Sequence, residues 1–437
     1  MEHHVEEVKL KCGAKGLLID VPGAPVYCME IWFRGGDAYT ESKEKQETAH
    51  ILEHLAFGAN SQQNSSAEVY RFISKNGADL NATTSNNFLS YRIYSPDFDW
   101  ERLLKQLVVQ VTTPKFLEKE FKAEFGNVRE EMQLRSNNKW NELGCLMNQR
   151  FGWELSDTYM QKLSLMDNVG LEDIKKHYTK VHKSKNAVFF VAGDLGKERS
   201  KILTILNGLD VLNKGTKLKL PKEPKIVSYP TNPVVVKKSD VPNIYFSIEM
   251  YAEYKKRNRE LVETELSILS KVLNGGFHSR IFGKAREMGI IYSMGSTEDT
   301  YRSQMYSFDI YAQVSVENMD KLLKLIVSEL KDVSLNGLSK EEVEEAVLSC
   351  RGSLRMSNQT AGSILAWYRN TYIQGEDERV YNFEDIDKWY DEVTPESIQE
   401  LFVNLIKTKK WGAGFLGNVT EAQTKKWNKK LAEIFEN

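Results

Sequence analysis

Apolar residues recur at two different periods in the first 200 residues, which predicts a mixture of strands and helices. Residues 26–33 are rich in strand formers and end at Gly35-Gly36, as expected for a strand. The apolar positions that follow have helical spacing, with no glycine or proline between them: Ala49, Leu52, Leu55 and Ala56. We therefore expect a strand over 26–33 that leads into a helix over 47–57.

Further periodic segments predict the other elements of this half. Ser65 and Glu68 have the spacing of a capping box, and Gly77 is placed to end the helix that this box opens. The remaining predicted elements are strands at 81–84, 88–94 and 187–192, and helices at 98–112, 117–137, 139–152 and 171–182.

Residues 208–242 separate two halves that resemble each other. This segment holds five of the ten prolines and sustains no helical period, so it is predicted to be an interdomain linker. Beyond it the pattern recurs. Ile174, Tyr178, Gly193 and Asp194 match Ile398, Phe402, Gly417 and Asn418 at an offset of 224, and Val26-Tyr27 matches Ile244-Tyr245 at 218.

This repeat indicates that a whole domain has been duplicated. Strands and helices mix without strict βαβ alternation, which favours the α+β class. We expect two homologous domains over 1–207 and 243–437, each a mostly antiparallel sheet packed with helices.

Composition narrows the possible partners and the location. The 437 residues carry a formal charge of −2, which does not favour nucleic acid or a membrane surface as a partner. The four cysteines form no CxxC pair, which is typical of reduced thiols in a cytoplasmic protein. The start lacks the basic and apolar regions of a secretory signal, and no apolar run is long enough to cross a membrane.

The predicted helix at 47–57 carries candidate metal chemistry. His50 and His54 are four residues apart, so both imidazoles lie on one helical face and can hold one metal ion, usually zinc. Glu53 lies between them, where its carboxylate can reach a zinc-bound water. This is the inverted zinc-protease signature HxxEH. A helix can also carry two histidines without a metal, and a zinc site needs a third protein ligand from elsewhere in the chain.

The second half lacks this signature. An offset of 218 places residues 268–272, Ile-Leu-Ser-Lys-Val, opposite the two histidines. We therefore expect the first domain to bind the metal and the second to cover it.

These features together resemble the pitrilysin family of inverted zinc proteases, which includes mitochondrial processing peptidase and insulin-degrading enzyme. The likeness covers nearly all of the chain and rests on the HxxEH helix, on a downstream pair Glu124 and Glu131, on Asn81-Ala82 after Gly77, and on the duplication.

The resemblance implies that Glu131, 77 residues beyond His54, is the third zinc ligand and that Glu124 orients a histidine from behind. Glu124 and Glu131 are two helical turns apart and so share a face. Glu130 is the competing carboxylate, but it is rotated by about 100° from Glu131. A solvated acidic helix without a metal is the alternative interpretation of this segment.

The function that the resemblance implies is that of a zinc endopeptidase in which Glu53 is the general base. Family members bind an extended peptide as an added strand at the sheet edge, to which Asn81, Ala82 and Thr83 correspond. Main-chain pairing of this kind gives affinity with little sequence preference.

The second half has its own candidate residues, Arg286 and Tyr292, which match a family segment that contacts the substrate backbone and the oxyanion. Many relatives separate this pair by seven residues, whereas six separate it here. The alternative is a surface arginine and a core tyrosine. Family members of this length pair to enclose a chamber, so the resemblance implies a homodimer, or a heterodimer with a homologous subunit.

Two other functions remain open from the sequence. One is a maturase dedicated to a single ribosomally made peptide. The other is a non-catalytic partner subunit, similar to the core subunits of a respiratory complex. Such subunits typically lose zinc ligands, whereas this chain keeps the whole set.

Overall fold

The structure of the protein is a computed structural model that describes residues 1–374 and 379–436. The strands in chain order are β1 His4–Lys9, β2 Lys15–Asp20, β3 Val26–Arg34, β4 Asp79–Thr84, β5 Phe88–Pro96, β6 Ala187–Gly193, β7 Val234–Lys237, β8 Asn243–Glu253, β9 Ser293–Thr300, β10 Met305–Ser315 and β11 Lys410–Gly417.

The helices in chain order are α1 Thr48–Ala56, α2 Ser66–Ser74, α3 Trp100–Thr112, α4 Glu118–Ser136, α5 Lys139–Phe151, α6 Tyr159–Leu165, α7 Leu171–Val181, α8 Arg199–Leu206, α9 Arg259–Asn274, α10 Phe282–Glu287, α11 Val316–Asn336, α12 Lys340–Ser357, α13 Ala361–Gln374, α14 Phe383–Glu392, α15 Pro395–Thr408 and α16 Glu421–Ala432. Within the described residues, no helix is both long and apolar enough to cross a membrane.

The chain forms two compact units. The first unit contains Met1–Arg135, Tyr159–Lys222 and Met356–Tyr381, and the second contains Ser136–Thr158, Glu223–Arg355 and Asn382–Asn437. Each unit has one sheet with its own apolar core.

Five strands have corresponding positions in the two sheets, and the first sheet has one additional edge strand, β1. The first has the order β1-β2-β6-β3-β5-β4 and the second the order β7-β11-β8-β10-β9. In each, one parallel pair, β2 with β6 or β7 with β11, is followed by antiparallel pairs only. The predicted α+β class with two homologous, mostly antiparallel domains is therefore confirmed.

Side-chain alternation in β3 explains why its sheet is covered on both faces. Met29, Ile31 and Phe33 are buried in the apolar core that contains α1 and α3. Because successive strand residues point to opposite faces, Glu30 lies on the other face, which α13 covers. Arg369 of α13 places its guanidinium 3.1 Å from both carboxylate oxygens of Glu30, whose side chain is only 1% exposed.

The second sheet is covered in the same way by α5. Met147 and Leu143 pack so closely on Gly414 of β11 that a Cβ atom there would lie 2.5 Å from the Met147 sulfur. Tyr229 fills the corresponding space over Gly412. Glycine in β11 thus permits the close approach of α5 to the strand.

These helices account for the difference between the predicted and observed domain bounds. The prediction assigned residues 1–207 to one domain and 243–437 to the other, whereas α5 belongs to the second unit and α13 to the first. In addition, β7 lies within the predicted linker 208–242. Local periodicity predicted α5, but it contains no information about which sheet an amphipathic helix covers; α13 was not predicted.

The Glu30–Arg369 pair provides a test of this arrangement. We expect Arg369→Met to destabilise the first unit by about 3–5 kcal/mol, because it leaves the buried Glu30 carboxylate without a cation. Urea unfolding followed by tryptophan fluorescence measures the change. Arg199→Met is the matched control, since Arg199 also contacts both carboxylate oxygens of one glutamate, Glu6, but at an exposed site, and its loss should leave the midpoint nearly unchanged.

Candidate active site

The helix α1 presents two faces with different roles. Ala49, Leu52 and Leu55 are buried in the core of the first unit. His50 and His54 lie on the opposite face, with their ring centroids 5.1 Å apart. The burial of the apolar face therefore fixes the direction in which both imidazoles point.

Glu131 of α4 reaches the same point from the other side. Its Oε2 lies 3.6 Å from His50 Nε2 and 3.3 Å from His54 Nε2, and one ligand atom from each of the three residues lies within 4.8 Å of the others. Bonds of about 2 Å to a tetrahedral zinc ion separate ligand atoms by roughly 3.3 Å. The three side chains thus fit such an ion. Among the residues that the structure describes, this is the one such cluster.

Carboxylates orient both imidazoles from behind. His50 Nδ1 lies 3.1 Å from Glu47 Oε2, and His54 Nδ1 lies 3.1 Å from Glu124 Oε2. A carboxylate accepts hydrogen bonds, so each Nδ1 carries a proton, and each Nε2 is directed at the cluster, as a metal ligand requires. Glu124 was predicted for this role, whereas Glu47 was not.

Charge keeps the carboxylates ionised. The contact with His50 is the main cause that lowers the pKa of Glu131 to about 2, and Arg135, which pairs with Glu131, acts in the same direction. Burial alone would raise the pKa of Glu47. The hydrogen bond with His50 and the charge of Lys162 outweigh burial and hold that pKa below its usual range.

Glu53 lies beside this cluster and is held by the edge strand. The hydroxyl of Thr84, at the end of β4, donates a hydrogen bond to Glu53 Oε2 over 2.6 Å. One carboxylate oxygen is therefore fixed, and Glu53 remains separate from the three candidate ligands.

A cavity of about 570 Å³ contains the cluster and Glu53. The edge strand β4 forms one wall, and the predicted substrate-binding residues Asn81, Ala82 and Thr83 line it. Because β4 ends the sheet, its outer main-chain groups are available for pairing. Further side chains that line the cavity are Asp37, Tyr70, Arg135, Tyr159 and Lys162.

The structure places Arg286 and Tyr292 next to each other in the second unit. The Arg286 guanidinium lies 5.0 Å from the centroid of the Tyr292 ring and 5.6 Å from that of Phe277. Tyr292 is 84% exposed, so it is a surface residue of its unit and not a core tyrosine.

Several cavity residues were missed by the sequence interpretation. Glu47 precedes His50 by three residues on one helical face, so its contact could have been predicted from spacing. Lys162 and Asp37 belong to no motif, and only the fold brings them together.

The fold and the site together define a class, that of two-domain α+β proteins with an inverted HxxEH helix beside an open sheet edge. Family models agree. Residues 17–148 match "Insulinase (Peptidase family M16)" and residues 168–349 match "Peptidase M16 inactive domain". Because these matches span more than half of the chain, it belongs to the M16 peptidase family, the pitrilysin family.

The relatives that the chain matches carry different names. An uncharacterised zinc protease of Rickettsia felis is 24% identical over 93% of each chain. The "Non-peptidase homolog YmxG" of Helicobacter pylori is 24% identical over 48% of this chain and 47% of its own. A solved protease structure from Helicobacter pylori has a TM-score of 0.79 at 18% identity, covering 95% of this chain and all of that one, which shows a shared fold.

The ligand assignment can be tested by metal analysis. We expect His50→Ala, His54→Ala and Glu131→Ala each to lower the zinc content of the purified protein strongly, because each removes one of three ligands. Glu130→Ala is the matched control, since Glu130 neighbours Glu131 but lies outside the cluster. Equal zinc loss from Glu130→Ala would contradict the assignment.

Proposed function

We propose that the protein is a zinc-dependent endopeptidase that hydrolyses extended, unfolded peptides. The observation that carries this proposal is the placement of the His50–His54–Glu131 cluster, Glu53 and the open edge of β4 in one cavity. The family and the names of related zinc proteases agree with it.

Each residue has a separate role in the proposed reaction. A zinc ion held by His50, His54 and Glu131 would supply Lewis acidity for attack of water on a peptide carbonyl. Glu53 accepts the proton of the attacking water and delivers it to the leaving amine. The Thr84 hydroxyl holds one oxygen of Glu53, so the other is free to face the water.

The substrate is proposed to bind as an added strand on β4. Its main chain pairs with the outer edge of the strand, where Asn81 and Thr83 are exposed. Such pairing needs an extended peptide, which excludes folded segments from the site. The proposed substrates are therefore unfolded peptides with little sequence preference.

A non-catalytic, peptide-binding role is the second candidate, because one relative is named a non-peptidase homolog. The intact ligand set and the held Glu53 favour catalysis, since peptide binding alone requires neither of them. The same experiment decides between the two functions.

We expect Glu53→Gln to retain zinc and fold but to lose nearly all peptide hydrolysis, because the amide cannot accept the proton. Digestion of a peptide mixture with and without chelator, with sequencing of the products, measures this. Glu130→Gln is the control and should cleave like the wild type. Turnover above a few per cent of wild type in Glu53→Gln would contradict the assigned base, and an inactive wild type with bound zinc would favour the non-catalytic role.

A homodimer in which the second unit of one chain completes the site of the other is part of the proposal. It is supported by the absence of a metal signature in α9, while in the same unit Tyr292 is exposed and Arg286 is partly exposed. A cytoplasmic location is also proposed, supported by four scattered cysteines that form no CxxC pair, and cell fractionation tests it.

Mixing two inactive variants tests the shared site. If Arg286 serves the zinc of the other chain, subunit exchange between Glu53→Gln and Arg286→Ala yields mixed dimers with one site carrying both defects and one carrying neither. Activity should rise towards about a quarter of wild type, since random exchange makes about half of the dimers mixed. Native mass spectrometry verifies the exchange. A mixture that exchanges subunits and stays inactive would contradict the shared site.

A further inference from the structure

We infer that Lys162 is a positioning residue for the metal site, which acts on His50 through Glu47. This inference rests on the proposed zinc site. It assigns a role to the buried charges behind His50, whereas the family signature concerns the ligands and the base.

The contacts form a chain from α6 to the imidazole. Lys162 Nζ lies 3.1 Å from Glu47 Oε1 and 3.2 Å from Asp37 Oδ2, and Glu47 Oε2 lies 3.1 Å from His50 Nδ1. The Glu47 side chain is 2% exposed, that of Asp37 8% and that of Lys162 17%. Glu47 thus faces the imidazole with Oε2 and forms an ion pair with Lys162 through Oε1, and water has little access to replace either contact.

The charges of this group explain why a cation is needed. Two buried carboxylates, Asp37 and Glu47, share the single ammonium of Lys162. Without it they would repel each other in a region of low dielectric, and Glu47 would turn away from His50. This change removes a fixed acceptor for the Nδ1 proton of His50.

The support of His54 is built differently. Glu124 is 23% exposed, and its other side-chain partner among the described residues is Asn127, whose amide nitrogen lies 3.2 Å from the same oxygen that faces His54. No lysine or arginine is paired with Glu124 among the described residues. His50 is therefore the histidine whose orientation depends on a buried charge.

The position of Lys162 in the chain adds a consequence. The chain leaves the first unit after Arg135 and returns at Tyr159, and α6 forms the start of the returning segment. Lys162 thus contacts Glu47 only when α6 is packed in place. The support of His50 is completed by the return of the chain to the first unit.

Zinc affinity tests this inference without relying on turnover. Dissociation constants are measured by competition with a chromophoric chelator for the wild type, Glu47→Gln, Lys162→Met and the double variant. Cobalt-loaded proteins give a second readout, because their visible d–d bands report the geometry of the ligands. Lys45→Met is the matched control, since Lys45 also joins two carboxylates, Asp173 and Glu41, but touches no candidate ligand.

We expect Glu47→Gln and Lys162→Met each to weaken zinc binding roughly 10–100-fold and to alter the cobalt bands. The double variant should bind zinc about as tightly as the single variant with the lower affinity, because both changes act on His50 through Glu47. Lys45→Met should match the wild type. Wild-type affinity in Lys162→Met, or losses that multiply in the double variant, would overturn the inference.

One further variant separates positioning from folding. Lys162→Met leaves two buried carboxylates without a cation, which can unfold the unit, whereas Asp37→Asn with Lys162→Met removes one charge of each sign. Its fold is verified by circular dichroism, and the same loss of zinc affinity is expected. Normal zinc affinity in this variant would overturn only the inference about Lys162 and leave the proposed function intact. A wild-type protein that binds no zinc would overturn the proposed function and, with it, the inference.

Discussion

The burial of one face of α1 is the constraint on which the candidate site depends. Two imidazoles four residues apart can share an ion only if the helix cannot rotate about its axis. Rotation of α1 would expose the buried apolar surface of Ala49, Leu52 and Leu55 to water, so the packing of these side chains prevents it. The same packing directs His50, Glu53 and His54 into the cavity, so stability of the core and geometry of the site have one cause.

The sheets impose a second constraint, since each is apolar or densely packed on both faces. A strand such as β3 needs cover on the side of Glu30 as well as on the side of Met29. The duplicated halves meet this need with a corresponding helix in each unit, α13 over the first sheet and α5 over the second. A polar residue on such a face needs a partner on the covering helix. Glu30 can be buried because Arg369 of α13 forms an ion pair with it.

How much was predictable from sequence depends on how local each feature is. Helix and strand periods predicted α1, β3 and α5 within a few residues, and the spacing of Glu124 and Glu131 placed both carboxylates on one face of α4. The offset repeat predicted two similar domains. The assignment of α5 and α13 to units was not predictable, because an amphipathic period shows that a helix is covered and not by what. The role of Lys162 was not predictable either, because its partners Asp37 and Glu47 are more than a hundred residues away in the chain and local spacing does not relate them.

In the proposed peptidase, strand β4 takes part in both substrate binding and chemistry, through its main-chain atoms for the first and its side chains for the second. Its side chains alternate, so Leu80, Ala82 and Thr84 are less exposed than Asp79, Asn81 and Thr83, and Thr84 reaches Glu53 from the less exposed row. The outer main-chain groups stay available for a peptide. In the proposed peptidase, a peptide paired with this edge is held in register by backbone atoms, and the same strand fixes the base. The distance between scissile bond and base is then independent of the peptide's side chains, which is why a site of this design can accept many sequences.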